Sequence, residues 1–258
     1  MTATTFPTTL DISSTPRVPL RRLVRVELRK LVDTRASRWL LITIGVITAL
    51  IILIVFLTAK TSDRTFINFM GATATPQGFL LPVLGILLVT QEWTQRTALV
   101  SFTLVPARGR VLLAKVLAAL LAGLAAIVLA ITIASLATLA GGAEDAWTNI
   151  GADDIGKFAL LQASGVLQGL AFGLLFLNSA AAIVTYFVLP TAFSIVASLW
   201  KPLKHAAPWV DLGTSQQPLF GATHMSAQQW LQLACGTAIW VALPLVLGLV
   251  RVLRAEVK

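Results

Sequence analysis

The chain has little of what most soluble domains and most enzymes depend on. It holds one cysteine, one tyrosine, two histidines and only 11 acidic residues among 258. The single Cys235 excludes an internal disulfide and a cysteine-based zinc site. His205 and His224 have no carboxylate or cysteine at ligand spacing, so the sequence offers no metal constellation. Charged residues of both signs make up 12% of the chain against 57% hydrophobic, and mean hydropathy is +0.84. A soluble domain carries roughly 25% charge. The balance here is that of an integral membrane protein.

In place of charge the chain has long apolar runs. Crossing roughly 30 Å of hydrocarbon at about 1.5 Å per residue takes about 20 residues. Six such stretches run from Trp39 to Ala59, Gly71 to Thr90, Val111 to Leu139, Lys157 to Phe176, Ser179 to Trp200 and Trp230 to Leu253. The second is the weakest, because Thr73, Thr75, Pro76 and Gln77 interrupt it. Runs of Leu, Ala, Val and Ile without period-two alternation satisfy their backbone in lipid as helices, so the expected fold is all-α. The first 38 residues are polar and basic, and the first apolar run is long enough to stay as an anchor rather than be cleaved as a leader.

Loop charges set the expected orientation. With the amino terminus inside, 15 of the 20 basic residues fall on the inner side, Arg17 to Arg38, Arg96 to Lys115 and Arg251 to Lys258 among them. Lys60, Arg64, Lys157, Lys201 and Lys204 fall outside, with Glu144, Asp145, Asp153 and Asp154 beside them. This bias predicts that both termini are cytoplasmic. The net charge of +9 then answers anionic inner-leaflet lipid and does not call for nucleic acid.

Residues 1–17 are rich in Thr, Ser and Pro and predict a disordered cytoplasmic tail. Over 18–37 the pattern changes to Leu20, Val24, Leu28 and Leu31 at helical spacing, with Arg21, Arg22, Arg25 and Arg29 on other faces. Two readings stand: an amphipathic helix flat in the headgroup region, or a basic flank that orients the first span. Residues 38–258 form the expected six-helix domain. Lys201 to Gln229 reads as its longest outer loop, and Pro190 should kink the fifth span and free a carbonyl.

Two catalytic signals fail on inspection. Gly151 to Phe158 nearly fits a phosphate-binding loop, but Phe158 replaces the magnesium-binding hydroxyl, Asp153 and Asp154 would repel phosphate, and no strand precedes it. Gln162-Ala163-Ser164-Gly165 resembles the serine motif of rhomboid-type intramembrane proteases, yet the sixth span has no histidine to take the proton. Gly165, Gly169 and Gly173 form small-xxx-small steps for close helix packing, with a neighbour in the same chain or another. No acidic or basic residue lies near the centre of any span, which disfavours ion-coupled transport. Gln168, Thr185, Tyr186, Asn178 and Ser179 are the remaining polar groups of the second half. They either line a path or satisfy one another.

A polar island separates the second and third spans: Gln91-Glu92-Trp93-Thr94-Gln95-Arg96-Thr97, continuing to Pro106-Ala107-Arg108-Gly109-Arg110 and Lys115. Glu92 to Val105 predicts one helix with Trp93, Thr97, Val100 and Leu104 on a single face, ended by Pro106. Such a helix either enters a groove on a soluble partner or lies on the membrane.

The order Glu92, Arg96-Thr97, Pro106-Ala107-Arg108, Ala114-Lys115, beginning at the end of a second span, resembles the permease subunit of type-2 ATP-binding-cassette (ABC) exporters, especially actinobacterial ones. Three further pieces agree: Glu27-Leu28-Arg29-Lys30 with Asp33-Thr34-Arg35, the short turn between spans four and five, and Gly248 to Arg254 at the end. The resemblance covers Val18 to Lys258. It implies a half-transporter in a bacterial plasma membrane, paired with a second copy or a homologous permease and driven by separate ATPase subunits. This chain would bind no cofactor and catalyse nothing; ATP and Mg would sit on the partner. Coupling to the ATPase would fall to segment 91–110 and Lys115, through Glu92, Trp93, Arg96, Thr97, Val100, Pro106, Arg108, Arg110 and Lys115. Gln162, Gln168 and Tyr186 would border the substrate path. An ion-coupled carrier or channel, and an intramembrane enzyme, are the alternatives.

Overall fold

The computed structural model describes residues 18–148, 151–221 and 224–254; the tail over 1–17 lies outside the described residues. The described residues form helices and no strand. In chain order these are α1 (Leu20–Asp33), α2 (Arg35–Thr58), α3 (Phe66–Thr94), α4 (Ala98–Leu104), α5 (Arg108–Gly141), α6 (Ala152–Phe176), α7 (Ser179–Leu199), α8 (Lys201–Val210), α9 (Leu212–Gln216), α10 (Pro218–Gly221), α11 (Ala227–Thr237) and α12 (Leu243–Arg254). Six helical segments are long and apolar enough to cross a membrane: α2, α3, α5, α6, α7 and the continuous stretch Ala227–Arg254. Because the spans alternate in direction, α1, α4 and the end of α12 share one side, here the near face. The starts of α3 and α6 share the far face with α8 to α10.

The core forms around α3 and α6, and their glycines explain why. A Cβ added at Gly169 would stand 2.1 Å from the Pro82 carbonyl oxygen, and one at Gly85 would stand 2.5 Å from that of Val166. At Gly173 the nearest atoms, on Ile86, would be 3.2 Å away. The glycine stripe of α6 is therefore packed within this chain, backbone against backbone, where dispersion contacts rather than a hydrophobic driving force hold helices together in lipid. Around this pair pack Leu81, Leu84, Leu88, Val89, Val166, Leu170 and Leu174, with Val252 arriving from α12. By contrast α7 buries only Ala182 and Ala197, and presents Val184, Val188, Leu189, Ile195 and Val196 outward.

Several elements differ from the sequence expectation. The second span, expected to be weak, is a 29-residue helix with Pro76 and Pro82 inside it. The supposed outer loop from Lys201 folds instead into α8, α9 and α10. Pro202 lies in the first turn of α8, where its missing N–H is harmless. Asp211 caps α9, its carboxylate accepting from the Thr214 amide (3.0 Å) and hydroxyl (2.6 Å) and from the Ser194 hydroxyl of α7 (2.7 Å). The Trp240 indole N–H donates to the Val210 carbonyl at 2.7 Å and ties α8 to the last span. Between α11 and α12, residues Ala238–Ala242 widen into a π turn in which the Leu243 amide reaches the Ala238 carbonyl. The next residue, Pro244, has no amide for the Trp240 carbonyl and a ring that crowds it; the wider turn relieves both.

Candidate functional site

Two polar places stand out in an otherwise apolar molecule, one at the near face and one within the far half.

At the near face α1 lies against α5, and its buried side centres on Leu23, Glu27 and Leu31. Of the expected stripe Leu31 is buried, while Leu20, Val24 and Leu28 are only half-buried, one register step away. Glu27 is thereby carried into the protein, and it meets Lys30 of its own helix, Glu92 of α3 and Lys115 of α5. Lys115 Nζ stands 2.7 Å from Glu27 Oε2 and 3.1 Å from Glu92 Oε1, and donates to the Leu88 carbonyl at 3.2 Å. Lys30 Nζ stands 2.7 Å from Glu27 Oε1 and also pairs with Glu92 Oε1, which accepts from the Ser101 hydroxyl of α4 at 3.2 Å. Lys115 is 2% exposed and Glu92 6%. The cluster holds two carboxylates and two ammonium groups, so its charges cancel. Burial by itself would lower the Lys30 ammonium, but Glu27 and Glu92 outweigh it and hold that group above the ordinary lysine range. Its contribution is present below the unfolded lysine value and is lost only as pH rises through the higher folded one.

The single helix expected over Glu92 to Val105 is broken. Helix α3 ends at Thr94, and Arg96 adopts φ 57°, a left-handed conformation unusual for a side chain with a Cβ. The Arg96 amide bonds the Trp93 carbonyl at 3.2 Å and the Thr97 amide the Glu92 carbonyl at 2.8 Å, the two reverse bonds of a Schellman turn. The reversal separates residues expected to share a face. Trp93 turns inward onto Phe102, ring centroids 6.3 Å apart, while Val100 and Leu104 face outward.

The expected coupling residues thus divide. Glu92 and Lys115 are internal. Arg108 donates to the Val252 and Leu253 carbonyls at 3.2 and 3.3 Å and lies over the Phe102 ring, closing the end of α12. Trp93 and Arg110 are half-buried; Arg96, Thr97, Val100 and Pro106 are exposed, joined by Leu99 and by Leu104, which is 74% exposed. Between α1 and this rim lies a groove of about 240 Å³ bordered by Lys30, Thr34, Gln91, Gln95, Thr97 and Ser101. Neighbouring bonds run from Gln91 to Ser37 (2.6 Å) and between Thr90 and Ser179 (2.7 Å), linking α3 to α2 and α7.

The second place is a cavity of about 360 Å³ between α3, α6 and α7, roofed by Gln216 of α9 and Phe220 of α10. It brings Gln162, Gln168 and Tyr186 together. Its deep end is made by Gln162 and Gln168, both buried, and its rim by Phe79, Phe187 and Phe220. Among the described residues the lining contains no charged side chain. One of the four residues that weakened the second span, Gln77, crosses behind it. Gln77 Nε2 donates to the Ala126 carbonyl (3.2 Å) and the Thr48 hydroxyl (3.3 Å), and its Oε1 accepts from Gln162 Nε2 (2.7 Å).

Sequence reading missed Glu27, Lys30, Gln77, Thr48 and Gln216 as members of these sites. An acid four residues from Leu23 and from Leu31 was the available sign for Glu27. For Gln77 it was a strong hydrogen-bonding group inside an apolar run, which lipid would not tolerate unpaired. No family model matches this chain, and no curated protein matches it.

Proposed function

We propose that this chain is the permease subunit of an ABC exporter, set in a bacterial plasma membrane with its near face and both termini in the cytoplasm. The observation that carries the reading is the built corner at the near face. A short helix, α4, presents Leu99, Val100 and Leu104 outward beside Arg96, while its inner side is fixed by Ser101 on Glu92 and by Phe102 on Trp93. An apolar ridge with a basic edge, rigidly mounted, suits a cleft on a soluble motor subunit. The enclosed charges beneath it suit the transfer of a push rather than the binding of an ion, because every charge already has a partner in the cluster.

The path of such a push follows from connectivity. Helix α3 carries Glu92 at its near end and Ala74, Gly78 and Phe79 on the cavity wall. A displacement of α4 acts on Glu92, hence on α3, and α3 moves the wall against α6 along the glycine contact. Closure of two ATPase subunits on nucleotide would supply that displacement in each of two paired permeases. The uncharged lining of the cavity favours this scheme over ion coupling, which needs a titratable or ion-binding group on the path.

Purification of the chain in mild detergent from its own host, with identification of any ATPase that comes with it, tests the reading. A stable complex whose ATP hydrolysis and export both fall in Arg96→Glu and Val100→Asp, with the permease still inserted, is the expected result. Uphill transport by the purified chain alone on an ion gradient would sink it.

A further inference from the structure

The deep cavity presents open hydrogen-bond acceptors, and this follows from which atoms its neighbours have already claimed. A backbone carbonyl can only accept. The Gln77 atom facing the Ala126 carbonyl must therefore be its amide nitrogen, so the Gln77 oxygen faces Gln162 and takes one Gln162 amide hydrogen. That leaves the Gln162 carbonyl oxygen for the cavity it lines. A second chain of bonds ends the same way. The Ser164 hydroxyl donates to the Leu161 carbonyl at 2.7 Å, so it must accept from Gln216 Nε2 at 2.8 Å, leaving the Gln216 oxygen.

Two backbone carbonyls nearby lose their helical partner. Pro82 has no amide to return to the Gly78 carbonyl, nor Pro190 to that of Tyr186, and both Gly78 and Tyr186 line the cavity. Gln168, 6% exposed, lines it as well, and among the described residues its amide has no hydrogen-bond partner. An unpartnered amide that opens onto the cavity favours a polar occupant. The rim of Phe79, Phe187 and Phe220 calls for an apolar one.

We infer that this cavity is a binding site for an uncharged amphipathic molecule with hydroxyl or N–H donors at one end and a flat apolar body at the other. The donors meet the Gln162, Gln168 and Gln216 amides, and the body lies among the phenylalanines. The size agrees, since small-molecule pockets span roughly 300–1,000 Å³. A charged ligand is disfavoured because, among the described residues, no side chain of opposite charge lines the site to offset its desolvation. Calling the occupant a transported substrate rests on the permease reading; the site itself does not.

The purified chain in lipid nanodiscs, without any ATPase, is titrated with resveratrol, with its trimethyl ether and with tyramine, a donor-bearing cation, following tryptophan fluorescence. Resveratrol should bind at least about tenfold more tightly than the ether. Gln168→Leu and Gln216→Leu should each reduce that preference several-fold, while Phe79→Ala should weaken resveratrol and ether alike. Equal binding of the ether, no saturable binding of either neutral probe, stronger binding of tyramine, or a preference unchanged in both glutamine variants would overturn the site. Failure to recover an ATPase complex would overturn the permease reading and leave this result standing.

Discussion

The near-face cluster and the far-half cavity are both buried polar places in an apolar protein, and they are finished in opposite ways. In the cluster, Glu27, Lys30, Glu92 and Lys115 answer one another, and the surplus donors of Lys115 and Ser101 go to the Leu88 carbonyl and to Glu92. In the cavity, Gln162 and Gln216 each give one N–H to the framework and leave their carbonyl oxygens open. A closed network fixes helices; an open one invites a ligand. Full charge suits the first because it is costly to leave unpaired, and neutral amides suit the second because a vacant cavity is then tolerable.

The sharpest way to break this comparison is to open the closed site. Lys115→Met leaves two carboxylates facing Lys30 alone, and should destabilise the chain by about 3–5 kcal/mol, read as loss of folded protein in graded denaturant–detergent mixtures. Adding Glu27→Gln restores neutrality with the Lys30 and Glu92 pair intact, so the double variant should be more stable than Lys115→Met alone. If the two changes simply add, the cluster is not acting as one unit.

A step smaller is the contact that joins the two places. Gly169→Ala drives a Cβ into the Pro82 carbonyl, whereas Gly165→Ala meets only the Pro82 ring at 3.4 Å. The first should cost about 1–3 kcal/mol by forcing α3 from α6, and the second much less. Equal effects along the stripe would mean that backbone approach at Gly169 does not set the helix spacing.

The reach of sequence reading follows the same contrast. Long apolar runs impose helices because lipid leaves the backbone no other partner, so all six spans were legible, with ends moved by a few residues. The cluster was half legible: Glu92 and Lys115 drew notice as charges near apolar runs, but their partners came from α1, and no local spacing tells which face of a basic helix will turn inward. Gln77 was read as a blemish because a polar residue in a span is judged by its neighbours in sequence. Its partners, Thr48, Ala126 and Gln162, come from three other helices. The break at Arg96 was hidden for another reason: a left-handed helix stop is signalled by glycine, and here an arginine occupies the position.

The open site can be sharpened through the residue that orients it. Gln77→Leu removes the anchor of the Gln162 amide and strands its hydrogens among apolar atoms. A loss of about 1–3 kcal/mol in stability should accompany a reduced preference of the cavity for resveratrol over its ether, since Gln162 could then turn its donors toward the ligand. Reduced stability with an unchanged preference would show that the Gln162 orientation does not set the chemistry of the cavity.

The smallest effect has the opposite sign. At φ 57°, Arg96 holds a conformation that glycine adopts without its Cβ penalty. Arg96→Gly should therefore raise stability, by about 0.5–1 kcal/mol in the same denaturation assay, because the Schellman bonds at Trp93 and Glu92 need only the backbone. The side chain itself is exposed and forms no ion pair with the closed cluster of Glu27, Lys30, Glu92 and Lys115 beneath it. If the near face receives a motor subunit, the same substitution should lower export and stimulated ATP hydrolysis while it stabilises the isolated permease. Strain kept at an exposed arginine is then explained by what the side chain does in the complex. A gain in stability with full export would reduce Arg96 to a helix stop and move the coupling role to the apolar ridge of Leu99, Val100 and Leu104.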